Sequence, residues 1–469
     1  GLDASNNDFD WTVITGDNDP GTGNWYEHGG PHGTHVAGTI AADDNNVGVV
    51  GMAPGVPLHI VKVFNASGWG YSSDLAHAAG KCADAGANII SMSLGGGGAN
   101  SIEEGAFDDF IANGGLVLAA AGNDGNSVRS YPAGYSSVMM IGANDGNNDI
   151  ADFSQFPSCE TGRGNNRRED ETICVEVTAG GVDTLSTYPA GLATMSAATD
   201  DGVGIPSSAM ENVGSASAAT YFMGTAEATD GGANGKICLI DRGNISFHDK
   251  VANCQSSGGV GAIVINNEPG MLYGTLGSPN NTSIPAVGAA QEDRSFLLGA
   301  STASVSIGAS DYGYMSGTSM ATPAVAGVAA LVWSNHSDCT GQEIRSALKA
   351  SAADAGAPGK DVYFGYGIVK AKDASDYLTA NGCQGGGTDP EPPTADLALS
   401  GQRTRGGKRV ELTWTGATTS TVDVYINGSF NDNTANDGSA AYNVNKNASY
   451  TFQVCEAGST TTCTNQISL

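Results

Sequence analysis

Three short segments hold the residue types that acyl transfer uses. The first is His32-Gly33-Thr34-His35-Val36-Ala37-Gly38, where a glycine opens a helix and small residues let it pack closely. His32 is a candidate general base. A lone buried histidine is more often structural. The His32/His35 spacing would also suit a metal pair, although no glutamate of an H-E-x-x-H zinc helix accompanies it. The second segment is Met315-Ser316-Gly317-Thr318-Ser319-Met320-Ala321-Thr322-Pro323. Ser319 falls at a helix start, in the positive end of the helix field, where an oxyanion is stabilised. Alone it would read as a helix cap. The third is Ala120-Ala121-Gly122-Asn123-Asp124-Gly125. Asn123 by itself is a turn former, but beside the other two segments it supplies the neutral N–H donor that a tetrahedral acyl intermediate needs.

Residues of this kind must be held by rigid elements. Apolar runs at 58–64, 89–94, 116–121 and 138–143 read as buried strands, and stretches of helical length at 72–86 and 101–113 separate them. That alternation predicts a doubly wound, mostly parallel α/β sheet whose sites lie at the carboxyl ends of the strands. Glycine and asparagine gather there, at 95–98 and 122–125. Composition changes after Thr187, which marks an inserted domain at 188–310. Residues 384–395 mix flexible Gly with stiff Pro as a linker. Alternating apolar and polar residues over 396–469, with Asn427-Gly428 as a turn signal, predict a small β-sandwich.

The chain has 469 residues and a formal charge of −29, a sign that repels phosphate backbones and argues against a nucleic-acid partner. No apolar run reaches membrane-spanning length. Nine cysteines suggest an oxidising compartment, hence secretion. Connectivity is not set by sequence; proximity within each domain suggests Cys159–Cys174, Cys238–Cys254, Cys339–Cys383 and Cys455–Cys463, with Cys82 left as a buried free thiol.

Together the His32, Asn123 and Ser319 segments resemble the subtilisin-like serine proteases over most of 1–187 and 311–383. The resemblance implies a three-layer fold and a secreted endopeptidase acting on proteins or peptides, made with a pro-segment and working as a monomer without a catalytic cofactor. It implies His32 as general base, Ser319 as nucleophile, and the Asn123 side chain with the Ser319 N–H as oxyanion donors. Ser67-Gly68-Trp69-Gly70 and Ser93-Leu94-Gly95-Gly96 would clamp an extended substrate by main-chain bonds. Ala121, Gly122 and Ser130 would line the pocket for the residue before the scissile bond, and their small size suggests a bulky apolar side chain there. A structural Ca²⁺ is implied at Asp8 with Asp43, Asn45, Val47 and Val49, oxygen ligands that suit it. The family's catalytic Asp is expected two residues before Gly1; Asp3 lacks a preceding apolar strand. Without that Asp and its strand, the residues from Gly1 onward are expected to be inactive, so an inactive protease-like fragment or a binding protein is the alternative. The insert resembles the protease-associated domain through 235–243 and 247–254, and the tail resembles fibronectin type III-like folds through Trp414 and 450–455.

Overall fold

The computed structural model describes residues 1–19, 21–64, 70–162, 167–383, 398–404, 407–415, 417, 421–436, 438–446, 448–457, 463–464 and 466–469. Ser67, Gly68, Trp69 and the 384–395 linker lie outside the described residues.

The elements that bear on the site are β1 (Ile14–Asn18), α1 (His32–Ala41), β2 (Leu58–Lys62), α2 (Ser72–Asp84), β3 (Ile89–Met92), α3 (Ser101–Ala112), β4 (Leu116–Ala120), β5 (Met139–Asn144), β6 (Val175–Gly180), β7 (Thr184–Thr187), β8 (Tyr312–Met315), α4 (Thr318–Asn335), α5 (Gly341–Ala350) and α6 (Ala371–Asn381). Strands β3-β4-β5-β6 form a parallel sheet in that order. Every residue of β4 is buried, which explains its continuous apolar run. Alternate side chains serve opposite layers: Leu116 and Leu118 pack with Ala321, Val325 and Val332 of α4, whereas Val117 and Ala119 pack with Phe107 and Phe110 of α3. This is the expected three-layer α/β core. The local pattern did not single out β1 or β6 as strands.

The parallel pair β1–β2 forms a separate sheet. Between β2 and β3 lies a cavity of about 770 Å³, lined by Leu58 and Ile60 on one side, Ile90 and Met92 on the other, and Ala79 and Cys82 of α2. Among the described residues the facing strand edges therefore have no partner for their backbone groups. Gly1 lines the same cavity, and a Cβ there would lie 2.5 Å from the Trp25 carbonyl. Gly33 is equally constrained, since its Cβ would lie 2.6 Å from the Gly1 carbonyl. Two glycines thus let the start of the chain press against the first turn of α1. Cys82 is half-buried and free, and burial, with the Asp17 charge, pushes its thiol up to about 11. The thiolate is scarce at neutral pH, so Cys82 is inert.

Residues 193–310 build their own eight-stranded sheet, joined to the rest through the antiparallel pair β7–β8. Its central strands Ile237–Asp241, Gly261–Ile265 and Ala286–Ala289 are parallel and buried. The C-terminal part has two antiparallel sheets around a shared core of Val410, Leu412, Trp414, Val424, Phe452 and Val454. Asn427 and Gly428, both at positive φ, turn the hairpin there. Disulfides join Cys159–Cys174, Cys238–Cys254, Cys339–Cys383 and Cys455–Cys463.

Candidate active site

Ser319 is the second residue of α4, after Thr318. The first N–H groups of a helix have no intrahelical acceptor, so the Ser319 N–H is available to a ligand. Four residues on stands Pro323, which has no N–H to give the Ser319 carbonyl. Ser93 makes good that loss: its Oγ donates to the Ser319 carbonyl at 2.6 Å, and the Ser319 hydroxyl donates to the Ser93 carbonyl at 3.3 Å. The end of β3 is thereby tied to the serine.

Asn123 is held just as directly. Its Oδ1 accepts from the Thr318 N–H at 2.8 Å and from the Thr318 hydroxyl at 2.9 Å. A backbone N–H can only donate, so the oxygen must face Thr318, which leaves Nδ2 as the free end of the amide. The Gly122 N–H also donates to the Thr318 hydroxyl, at 3.2 Å. One threonine therefore fixes both residues after β4. Sequence reading passed over Thr318 because its role depends on a residue nearly two hundred positions away. Behind it, the Gly317 N–H donates to the Gly181 carbonyl at 2.7 Å.

His32 is exposed at the first position of α1, on the turn that packs against Gly1. Desolvation by neighbouring atoms holds its pKa below the ordinary histidine range. A neutral ring can accept a proton, as a base requires. Among the described residues no hydrogen bond joins His32 to Ser319. His35 has a different fate: it is fully buried, its Nε2 is 2.9 Å from the Thr184 carbonyl, and burial lowers its pKa to about 4. Committed to β7, it is no partner for His32 on a metal. Asp3 is also occupied, accepting from the N–H groups of Ser5 and His28.

The Gly95 backbone runs beside Ser130 and Tyr131, and the Gly96 N–H donates to the Tyr131 carbonyl at 2.9 Å. Gly122, at φ +116°, leaves no room for a Cβ because Gln155 Oε1 would lie 1.9 Å from it. Gln155 in turn reaches Ser130 Oγ at 3.4 Å. Gly95 and Gly96 thus neighbour Ser130 and Tyr131, and Gln155 links Gly122 to Ser130; Gln155 is the member that sequence reading missed. Gly70 packs on Val63 and Phe64.

At the loop 43–49, Asp8 is buried and its carboxylate accepts from Asn45 Nδ2 at 3.0 Å and the Val49 N–H at 2.9 Å. Asn45 Oδ1 accepts from the Val47 N–H, and Asp43 Oδ1 from the Asp44 N–H. The loop closes on Asp8, but through N–H groups.

A helix-borne serine, a strand-end asparagine locked to the threonine before it, and a histidine helix packed beside them on a parallel sheet define the subtilisin-like class. The chain belongs to the subtilase family, whose model matches residues 2–229 and 242–367. Subtilisin BL and Subtilisin Savinase of Lederbergia lenta are each 40% identical over 163 residues, 35% of this chain and 55% of theirs. Alkaline elastase YaB of Bacillus sp. (strain YaB) is 46% identical over 128 residues, 27% of this chain and 34% of its own. The chain spans about half the length of the first of these relatives. Among solved structures it is similar to the psychrophilic subtilisin-like protease Apa1 from the Antarctic psychrotroph Pseudoalteromonas sp. AS-11, at 37% identity and TM-score 0.67, over 82% of this chain and 92% of that one.

Proposed function

We propose that the protein is a secreted serine endopeptidase. Ser319 attacks the scissile carbonyl, His32 takes its proton and passes it to the leaving amine, and Asn123 Nδ2 with the Ser319 N–H binds the oxyanion. The observation that carries this reading is the forced orientation of Asn123: Thr318, the residue before the serine, occupies its oxygen and leaves the donor end free. The acyl side of a substrate would lie along Ser93 to Gly96 and Ser67 to Gly70, its side chain in the recess of Ala121, Gly122 and Ser130. The small walls favour a bulky apolar residue.

The third member of the triad is an Asp on a strand leading into Gly1, and the cavity between β2 and β3 has the apolar lining such a strand requires. Residues 1–469 alone would then lack activity, and casein cleavage by them would contradict this. In the protein with that strand, a phosphonylating reagent should label Ser319 stoichiometrically and Ser319→Ala should abolish both labelling and hydrolysis. Labelling elsewhere would reject the assignment.

A structural Ca²⁺ would be held by Asp8, the Asn45 side chain and carbonyls of Asp43, Val47 and Val49. The fit is partial, because Asn45 Nδ2 would first have to yield its place on Asp8. The ion would brace the loop and take no part in the chemistry. Chelation should lower the melting temperature, and an unchanged value would remove the site. We assign residues 188–310 to a protease-associated domain and 396–469 to a fibronectin type III-like module, with a pro-segment and a monomeric state following from the same reading. Among the described residues no helix is long and apolar enough to cross a membrane.

A further inference from the structure

The insert touches the segment that precedes the nucleophile. Tyr273, in the loop between the insert strands Gly261–Ile265 and Ala286–Ala289, donates its hydroxyl to Asp183 Oδ2 at 3.0 Å. Asp183 holds the other side: its N–H donates to Ser316 Oγ at 2.8 Å, and the Ser316 hydroxyl reaches Asp183 Oδ1 at 3.3 Å. Ser316 lies three residues before Ser319. Asp183 itself sits at φ +47°, in the left-handed region that Asp adopts more readily than most side chains. The Tyr273 backbone is fixed as well, since Leu272 and Leu276 on either side of it are buried.

The ring meanwhile faces solvent. Tyr273 is 66% exposed, and Tyr314 and Leu185, directly opposite each other in the β7–β8 pair, are 56% and 37% exposed. Asp183 and Ser316, which carry the tether, stand one residue before β7 and one residue after β8, so Tyr273 joins the same end of the pair that bears Leu185 and Tyr314. Three large apolar side chains that remain uncovered beside a nucleophile loop need a reason.

Their side of the cleft supplies one. On the hydrolase reading the acyl half of a substrate runs along Ser93 to Gly96, at the strand end whose Ser93 carbonyl accepts from the Ser319 hydroxyl. Strand β7 instead packs on α1, with Ser186 Oγ and Thr187 Oγ1 donating to the His35 and Thr34 carbonyls, each at 2.8 Å. The base that protonates the leaving amine stands on that helix, so the leaving half must pass β7–β8. Resting on the hydrolase reading above, we propose that Tyr273 determines specificity on the leaving side: tethered through Asp183 to the nucleophile loop, its ring joins Tyr314 and Leu185 in a wall that receives a bulky apolar residue after the scissile bond.

The experiment uses the protein with the strand that leads into Gly1 as parent and compares paired peptides that differ only in Phe or Gly at the position after the scissile bond, together with an ester of the same acyl group that has nothing beyond the bond. The parent should prefer Phe over Gly, and Tyr273→Ala should lower that ratio about tenfold. Tyr273→Phe keeps the ring but loses the tether, and should fall between the two. Because Tyr273 is mostly exposed, its truncation removes little packing, and thermal unfolding checks this. Ester turnover with an unaltered Phe/Gly ratio in Tyr273→Ala would overturn this inference alone. Absence of ester turnover in the parent would overturn the hydrolase reading and the inference with it.

Discussion

Acidification tests the second histidine of the helix motif. His35 is fully buried with Nε2 against the Thr184 carbonyl; an acceptor there requires Nε2 to carry a proton, and burial disfavours a second one on Nδ1, so the folded protein holds the neutral ring. Burial outweighs that bond and sets the pKa at about 4, against 6.5 for a free side chain. The unfolded chain therefore binds this proton at higher pH than the folded one. Stability is fully present above about pH 6.5 and is lost as pH falls toward 4. At ~1.4 kcal/mol per pKa unit, the loss is about 2 kcal/mol by pH 5 and about 3 kcal/mol by pH 4. His35→Gln retains an N–H for Thr184 and cannot take up a charge. Urea unfolding of parent and variant from about pH 7 to 5 isolates this term, because all other titrating groups are shared. The parent should lose about 2 kcal/mol more than the variant. Parallel stability curves would refute the account of His35 as a buried neutral brace.

Other perturbations reach different parts of the frame. Removing the oxyanion donor in Asn123→Ala should lower turnover on the order of 10²–10³, a figure carried over from subtilisin, while Thr318→Val, which strips one of two bonds from Asn123 Oδ1, should cost only about three- to tenfold; steady-state kinetics on a peptide substrate separates the two. Arg345→Met should destabilise by about 3–5 kcal/mol in denaturant titration, because it leaves the buried Glu176 carboxylate without the guanidinium that now pairs with it at 2.9 Å. Replacing Cys339 and Cys383 by serine opens a link between residues 44 apart, for which loop entropy gives about 4 kcal/mol, measurable as a lowered urea midpoint.

Much of the scaffold could be read from local pattern. The run Leu116–Ala120 is apolar on both faces because two layers cover it, and helices at 72–84 and 101–112 begin and end close to where their residues suggested. Strand β1 escaped because Ile14–Asn18 has a single buried residue and lies at a sheet edge. The histidine, asparagine and serine segments announced themselves through residue types gathered within a few positions.

Their working relationships did not. That Thr318 pins the Asn123 oxygen, that Ser93 satisfies a carbonyl orphaned by Pro323, and that Asp3 is consumed by Ser5 and His28 follow from which surfaces meet in space. The tether from Tyr273 to the nucleophile loop belongs to the same kind, as does the gap between two sheets whose facing edges stay unpaired. Periodicity and capping are short-range properties of a few neighbouring residues, so they survive in a one-dimensional reading. A hydrogen bond between groups hundreds of positions apart exists only after packing has chosen which backbone donors and acceptors are left to be satisfied.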